Sequence, residues 1–190
     1  MADVGARHPD LLGRDDTGLV VVDVQEGFRP VIDQFDTVIA NCRILVAGFG
    51  ILGAPVLVTE QYPKGLGHTV PEISEVFAED VPIAEKLRFS ACGVEAFEDA
   101  LAATGRKRWV VCGIEAHVCV NQTVHDLLAR GHEVYVAGDA VSSRKAENRR
   151  LGLEKAVGAG ARLTSAEMAL FEMLEQAGGD EFKAISKLVR

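Results

Sequence analysis

The stretch GLVVVD, residues 18–23, is a short run of mainly β-branched residues that ends in a carboxylate. Its apolar residues are continuous rather than alternating with polar ones, which is typical of a strand buried on both faces. Such strands occur in parallel sheets that carry helices on both sides. The stretch therefore predicts an α/β fold, with Asp23 at the carboxyl end of the first strand.

Outward from this strand, apolar runs alternate with amphipathic segments along the whole chain. Residues 60–82, rich in Gly and Pro, are predicted to form a long ordered loop, a length that favours a functional role. Alternating strands and helices imply parallel pairing with right-handed crossovers. The other predicted strands are 55–59, 82–86, 108–113, 133–137 and 161–163, and the predicted helices are 38–52, 94–104, 120–128, 145–158, 165–176 and 182–189.

These elements predict one α/β domain over residues 1–190, a three-layer α/β/α fold around a roughly six-stranded, parallel, Rossmann-like sheet. Residues 1–16 are expected to be flexible or loosely docked, because no apolar periodicity begins before Thr17. Ligands of such sheets bind beyond the carboxyl ends of the strands. The search for functional residues therefore concentrates on that edge.

Composition excludes several function classes. The 28 acidic and 20 basic residues give a net charge of −8, so nucleic-acid binding is not expected. No apolar stretch is long enough to span a membrane, and no secretory signal is recognisable. The cysteines are too sparse for a disulfide framework, which favours reduced thiols in the cytoplasm. They are Cys42, Cys92, Cys112 and Cys119.

Two motif-like patterns are discarded. The run GFGILG, residues 48–53, has the spacing of a dinucleotide-binding fingerprint. It ends a helix and precedes a strand, however, which is the reverse of the order that the fingerprint requires. His117, Cys119 and His125 do not share one helical face at metal-ligand spacing, so a metal site there is weakly supported.

Three residues fall at the predicted carboxyl edge of the sheet: Asp23, Lys86 and Cys119. Asp23 and Lys86 could form a purely structural ion pair, because a buried carboxylate requires a partner. Cys119 could be a small core residue, but its place in the first turn of a helix favours another interpretation. A helix N-terminus and a nearby ammonium group both stabilise a thiolate, so we expect a nucleophile here.

Four stretches carry a resemblance to a known family. They are VDVQ (22–25), VTEQYPKGLG (58–67), EKLRFSA (85–91) and GIEAHVCV (113–120). In this order they resemble the motifs of the isochorismatase-like cysteine hydrolases, and most closely the subgroup of isochorismatase-domain-containing proteins. The similarity extends from about Thr17 to Ile185. It implies a parallel Rossmann-like sheet, a homo-oligomer and a small-molecule substrate.

The resemblance also implies a mechanism. Asp23 would be the general base and acid, Lys86 the activating cation and Cys119 the nucleophile. The Ile114–Glu115 peptide bond would be cis, and the amides of Glu115 and Cys119 would form an oxyanion hole. The implied reaction is hydrolysis of a C–N bond in a small amide through a thioester.

Departures from the family limit this interpretation. Nicotinamidases of the family carry an Asp and His metal cluster where this chain has a single histidine, His68, so neither a metal nor another cofactor is expected. Two alternatives stay open: an isochorismatase-type vinyl-ether hydrolase and a non-catalytic scaffold. Lys64 and Arg88 could meet a substrate carboxylate. The candidate substrate-binding residues are Gln25, Phe28, Tyr62, Phe89 and His117.

Overall fold

Six parallel strands form one sheet in the computed structural model, which describes residues 7–190. Their order across the sheet is β3-β2-β1-β4-β5-β6, and every neighbouring pair is parallel. The predicted fold class is confirmed. The strands are β1 (Thr17–Val22), β2 (Val56–Gln61), β3 (Ile83–Lys86), β4 (Arg108–Ile114), β5 (Glu133–Ser142) and β6 (Arg162–Thr164).

Helices connect these strands and cover both faces of the sheet. Among residues 7–190, no helix is long and apolar enough to cross a bilayer. A 3-10 turn at Glu26–Phe28 precedes the first long helix. The helices are α1 (Phe35–Ile51), α2 (Pro63–Leu66), α3 (Pro71–Ser74), α4 (Glu95–Thr104), α5 (Cys119–Ala129), α6 (Ala146–Gly158), α7 (Ala166–Leu174) and α8 (Gly179–Leu188).

Alternate residues of the central strand enter two separate cores. Leu19 and Val21 face the core that contains α1, α7 and α8. Val20 and Val22 face the core that contains α4, α5 and α6. Burial on both faces explains why this strand is apolar throughout, as parallel sheets require.

Two predicted elements need correction. The predicted loop 60–82 is not wholly irregular, because β2 continues to Gln61 and the short helices α2 and α3 lie within the rest. Strand β5 continues to Ser142, beyond its predicted end at Ala137. Gly138 and Asp139 are poor strand formers, which hides the continuation in the sequence. Pairing with β4 resumes after a register shift at this point.

The close approach of β4 to β1 sets the position of the functional edge. Gly113 has φ 108°, and a Cβ there would lie 2.0 Å from the carbonyl oxygen of Val22. Only glycine fits at this position without displacing the backbone of β1. The loop that follows β4 is therefore held directly beside Asp23.

Part of the amino-terminal segment 1–16 lies outside the described residues. In the described part, Leu12 is fully buried. The carbonyl oxygen of Asp10 accepts a hydrogen bond of 2.8 Å from the hydroxyl of Tyr135. Arg7 pairs with Glu175 at 2.9 Å. Residues 7–16 thus contact both β5 and the end of α7.

Candidate active site

The structure brings Asp23, Lys86 and Cys119 together at the carboxyl edge of the sheet. Asp23 directly follows β1, Lys86 is the last residue of β3, and Cys119 is the first residue of α5. The side chains of Asp23 and Lys86 are fully buried, and Lys86 Nζ lies 2.6 Å from Asp23 Oδ2. The thiol of Cys119 lies close enough to both for each to shift its pKa. The sequence placed these three residues at one edge, and the structure adds the ion pair and the nearby thiol.

Asp23 is held on both of its oxygen atoms. Oδ2 accepts from the Lys86 ammonium, and Oδ1 accepts from the Thr59 hydroxyl at 2.7 Å. Burial raises the pKa of Asp23 above its ordinary value, while Lys86 and Thr59 counteract part of that rise. A carboxyl group with a raised pKa is suited to both accepting and returning a proton.

Lys86 contacts three further oxygen atoms besides its ion-pair partner Asp23. Its ammonium lies 2.8 Å from Gln61 Oε1, 2.9 Å from the carbonyl of Phe89 and 3.2 Å from that of Arg88. With Asp23, four acceptors surround a group that has three N–H donors. The ammonium is therefore fixed in place and has no unused donor for a ligand.

Thr59 and Gln61 were missed by the sequence prediction. They are two residues apart on β2, so their side chains point to the same face of the sheet at its functional edge. The three consecutive polar residues that end an otherwise apolar strand are the signal that could have found them. Thr59 orients Asp23, and Gln61 orients Lys86.

The expectation that Cys119 is a stabilised thiolate is wrong. Cys119 is only 6% exposed. Burial raises the pKa of the Cys119 thiol to about 12, and the neighbouring Asp23 carboxylate adds to that rise more than Lys86 opposes it. The resting thiol is therefore protonated at neutral pH, and the Asp23 carboxylate lies close enough to shift its pKa and to accept its proton.

This raised pKa has a consequence for stability at high pH. The thiol ionises near pH 9.0 in the unfolded chain and near pH 12 in the folded one. Its contribution to the free energy of unfolding is therefore fully present below pH 9 and is lost as pH rises toward 12, because the unfolded thiol ionises first. We expect the free energy of unfolding to fall above pH 9 more steeply in the wild type than in Cys119→Ala. The difference in slope reaches about 1.4 kcal/mol per pH unit.

Urea titrations at several pH values between 8 and about 10.5, followed by the fluorescence of the single tryptophan, measure both slopes. Trp109 is fully buried and reports unfolding in both proteins. Cys92, whose pKa burial raises to about 11, contributes equally to both slopes and cancels. Parallel curves for the two proteins would contradict the raised pKa of Cys119.

The loop between β4 and α5 carries two unpaired backbone donors. The Ile114–Glu115 peptide bond is cis, as the family resemblance implies. Within residues 7–190, the N–H groups of Glu115 and Cys119 donate to no carbonyl or side chain. The neighbouring Ala116 N–H, in contrast, donates to the Ser142 carbonyl at 2.7 Å. This loop therefore has two free donors, one of them the amide of Cys119 itself.

The side chains of this loop are tied to the segment after β5. Glu115 Oε2 accepts from the backbone N–H of Arg144 at 2.9 Å and from its Nε at 3.1 Å. His117 Nδ1 lies 3.0 Å from the Ser143 hydroxyl, and its Nε2 lies 3.3 Å from Asn148 Nδ2. The contacts of Arg144 and Asn148 join residues from distant parts of the chain, so no local sequence pattern marked them.

The remaining candidate substrate-binding residues fall in different places. Gln25 is fully buried, and its amide makes three hydrogen bonds, two with the backbone of Gln61 and one with the carbonyl of Gly67. Phe28 is partly buried and packs against the α1 core. Tyr62 and Phe89 are 50% and 52% exposed. The Phe89 carbonyl touches the Lys86 ammonium, so this backbone lies at the site.

The region that corresponds to the nicotinamidase metal cluster is arranged differently. Buried Glu60 accepts from the backbone and hydroxyl of Thr69 at 2.7 and 2.8 Å, and it lies 2.9 Å from His68 Nδ1. Its contact raises the pKa of the exposed His68. Among the described residues, no group of three His, Cys, Asp or Glu side chains could hold a metal ion. The absence of a catalytic metal remains a prediction.

A family model for the isochorismatase domain matches residues 17–168, which include all three edge residues. The chain belongs to the isochorismatase family. Among curated members of this family, a protein of Phytophthora sojae named secreted isochorismatase effector Isc1 is 45% identical over 90% of this chain and 83% of its own. Isochorismatase domain-containing protein 2 of Danio rerio is 41% identical over 90% of this chain and 85% of its own.

Solved structures of isochorismatase relatives share the fold. The protein described as MAR1 ribonuclease from Caenorhabditis elegans superposes with a TM-score of 0.89 at 42% identity, over 94% of this chain and 91% of that one. YcaC from Pseudomonas aeruginosa, described with hexane-2,5-diol and covalent acrylamide, superposes with a TM-score of 0.88 at 26% identity, over 96% and 93%. The predicted membership of the isochorismatase-domain-containing subgroup is confirmed.

Proposed function

We propose that this protein is a cysteine-dependent hydrolase that cleaves the C–N bond of a small amide through a thioester intermediate. One observation carries the proposal: the Cys119 thiol lies close enough to a fully buried Asp23–Lys86 pair for both groups to shift its pKa, and its loop has two unpaired backbone N–H groups. A structural ion pair alone would need neither the thiol nor the free donors. The arrangement supplies a nucleophile, a proton acceptor and an oxyanion site together.

The chemical steps follow from these contacts. Asp23 takes the thiol proton as the sulfur attacks the carbonyl carbon, so no free thiolate has to accumulate. The carbonyl π electrons move to oxygen, and the amides of Glu115 and Cys119 stabilise this oxyanion by about 3–4 kcal/mol per strong donor. As the carbonyl re-forms and the C–N bond breaks, Asp23 returns the proton to nitrogen, which leaves an acyl group on Cys119.

Hydrolysis of the thioester uses the same groups again. Asp23 is then an unprotonated carboxylate and takes a proton from an entering water. The hydroxyl adds to the acyl carbon, the C–S bond breaks, and the proton returns to sulfur to restore the thiol. Lys86 remains an ammonium throughout and stabilises negative charge on Asp23 or on the sulfur. This role agrees with its full set of fixed acceptors.

Other parts of the proposal follow from the family. A small-molecule substrate, a homo-oligomeric state and a cytoplasmic location are proposed, with no cofactor and no metal. The Phytophthora sojae relative is named as secreted, so its location differs from the one proposed here. The acrylamide bound covalently to the YcaC relative supports the presence of a reactive nucleophile in that protein, because acrylamide is an electrophile.

A ribonuclease is the second candidate, because the Caenorhabditis elegans relative is described as one. The net charge of −8 disfavours binding to a phosphate backbone. The buried thiol also suits a carbonyl carbon better than a phosphodiester, because acyl transfer to sulfur is the usual chemistry of catalytic cysteines. Vinyl-ether hydrolysis and a scaffold role are weakened by the contact of all three edge residues.

A panel of small amides and imides tests the proposal, with released ammonia as the readout and RNA of mixed sequence as a parallel substrate. We expect ammonia release from at least one amide and no RNA cleavage by the wild type. Cys119→Ala is expected to lose all measurable amide turnover, because the change removes the sulfur that attacks the carbonyl carbon. Undiminished turnover by Cys119→Ala, or RNA cleavage that this change abolishes, would sink the amide mechanism.

A further inference from the structure

Strand β3 forms one free edge of the sheet, because among residues 7–190 it pairs with β2 alone. The carbonyls of Pro82 and Lys86 accept from β2 and from the residue after it, at 3.0 and 2.9 Å. Backbone groups alternate in direction along a strand, so those of Ile83 and Glu85 point away from the sheet. Such unpaired N–H and C=O groups are a template for pairing with another strand.

Exposed apolar side chains concentrate at this edge. Within residues 7–190, ten large apolar side chains are exposed, and four of them lie on β3 or beside it. Leu87 is 76% exposed, and it lines a surface cavity of about 290 Å³ together with Tyr62. Clustered apolar exposure marks a surface that another molecule covers. We call this surface the edge patch, and it consists of Tyr62, Lys64, Ile83, Glu85, Leu87, Arg88 and Phe89.

The opposite edge of the sheet, strand β6, is arranged differently. In the described chain, its one exposed large apolar side chain is Leu163, which is 51% exposed. Arg162 of the same strand pairs with Asp10 at 2.7 Å and lies over the ring of Tyr135. Charged side chains and covering segments are the usual protection of an edge strand. The β6 edge is therefore protected within the chain, whereas the β3 edge leaves its apolar residues in solvent.

The charges of the edge patch fit a second copy of the same surface. Lys64 and Glu85 line the cavity described above. Neither of them forms an ion pair with any residue from 7 to 190, and the same holds for Arg88. In a twofold contact, the anion of each copy meets the cations of the other. The whole chain carries a net charge of −8, so a patch without acidic excess is where two copies repel each other least.

We propose that the edge patch is an interface between two copies of this chain, whose β3 strands pair antiparallel about a twofold axis. An axis beside Lys86 places Glu85 opposite the partner subunit's Leu87 and keeps the two carboxylates apart. The outward backbone groups of both strands then find partners, and the apolar side chains leave solvent. The inference rests on the homo-oligomeric state proposed above and names the surface that forms it.

The interface also borders the candidate active site. The Phe89 carbonyl lies 2.9 Å from the Lys86 ammonium, and the Leu87 carbonyl accepts from Gln61 Nε2 at 2.9 Å. Residues 87–89 thus belong to the edge patch and also contact the groups that fix Lys86. A second copy on the edge patch covers this segment from the solvent side.

Sedimentation velocity of the full chain at micromolar concentration tests the interface. The wild type is expected to have at least twice the 20.4 kDa mass of one chain. Leu87→Lys should halve the mass of the assembly and raise its dissociation constant at least about 100-fold, because each interface would bury two unpaired ammonium groups. Leu163→Lys makes the same change on β6 and should keep the wild-type mass. Both positions are more than half exposed, so both variants should fold.

The charges of the edge patch have a test of their own. Glu85→Lys leaves the patch with three cations and no anion, so it should weaken the association of two copies. Adding Lys64→Glu restores a carboxylate beside two cations and should recover the association. Failure of the double variant to recover would contradict the proposed pairing of charges.

Hydrogen exchange locates the interface on the chain. The outward amides of Ile83 and Glu85 exchange rapidly in a single chain and are protected once they pair with a second strand. Peptides that cover residues 83–87 should therefore exchange at least about tenfold more slowly in the wild type than in Leu87→Lys. Peptides from β6 should exchange equally in both proteins.

Two further results would overturn the inference. One is an assembly whose mass Leu87→Lys leaves unchanged, and the other is equal exchange of residues 83–87 in the assembled and dissociated protein. In both cases the proposed homo-oligomeric state survives on another surface. A wild type that sediments as a single chain would remove the oligomeric state and the interface together. The proposed hydrolase activity is decided separately, by amide turnover in the wild type and in Cys119→Ala.

Discussion

Replacing Lys86 by methionine is expected to lower the free energy of unfolding by about 3–5 kcal/mol at pH 7. The substitution leaves the fully buried Asp23 carboxylate without its ammonium partner. It also leaves Gln61 Oε1 and the Phe89 carbonyl without a donor. Methionine keeps the length of the apolar stem, so the loss arises mainly from uncompensated charge and polarity.

The double variant Asp23→Asn with Lys86→Met distinguishes charge from packing. The introduced asparagine is neutral, and its side-chain oxygen can still accept from the Thr59 hydroxyl. Asparagine also tolerates the positive φ of 53° at this position. We expect the double variant to recover at least about 2 kcal/mol of the loss, because no unpaired charge remains buried.

Urea denaturation followed by Trp109 fluorescence measures these energies, with Lys183→Met on the exposed surface as the control. The control should change stability by less than about 0.5 kcal/mol. The stability loss of Lys86→Met should also shrink as pH falls, because burial raises the pKa of Asp23 and the protonated form needs no cation. A loss that is independent of pH and unrelieved in the double variant would point to packing alone.

With an activated ester, Asp23→Asn is expected to block thioester hydrolysis while still allowing Cys119 to take an acyl group, because such a leaving group needs no proton. The Asp23 carboxylate raises the pKa of Cys119, so its removal lowers that pKa and leaves the sulfur able to accept an acyl group. Thioester hydrolysis then lacks its general base, and turnover should fall by about 10²–10⁴-fold. An acyl-enzyme should therefore accumulate in Asp23→Asn.

Accumulation of the acyl-enzyme can be measured with an activated ester such as p-nitrophenyl acetate, because this ester acylates thiols without help from a general acid. Asp23→Asn should give a rapid burst of nitrophenolate followed by a slow steady state. Asp126→Asn is the control. It removes a carboxylate of α5, the helix that begins at Cys119, and this carboxylate accepts from the Ser90 hydroxyl. Equal steady-state rates in Asp23→Asn and the wild type would assign the base to another group.

The fold could be predicted from the sequence because strands that are buried on both faces are apolar throughout. Strand β1 and strand β4 are almost wholly apolar, and each is followed by an amphipathic helix. The short helices α2 and α3 could not be predicted, because four-residue helices are too short to show a helical periodicity. The continuation of β5 past Gly138 depends on pairing with β4, which local propensity does not report.

The candidate site could be predicted from the sequence only in part, for a different reason. Asp23, Lys86 and Cys119 could be placed at one edge because parallel strands end on the same side of a sheet. The pKa of Cys119 could not be inferred, because it depends on a balance between burial and two opposite charges. Arg144 was missed because its link to Glu115 joins residues far apart in the chain.

The location of the acyl group tests the central claim most directly. Wild-type protein is mixed with p-nitrophenyl acetate, quenched in acid during the burst, digested and analysed by mass spectrometry. We expect acetyl on Cys119, its enrichment in Asp23→Asn, and no acetyl on Cys42, Cys92 or Cys112, which are 0% exposed whereas Cys119 is 6% exposed. Acetylation elsewhere with Cys119 unmodified, or an unchanged burst in Cys119→Ala, would contradict the claim that Cys119 is the nucleophile.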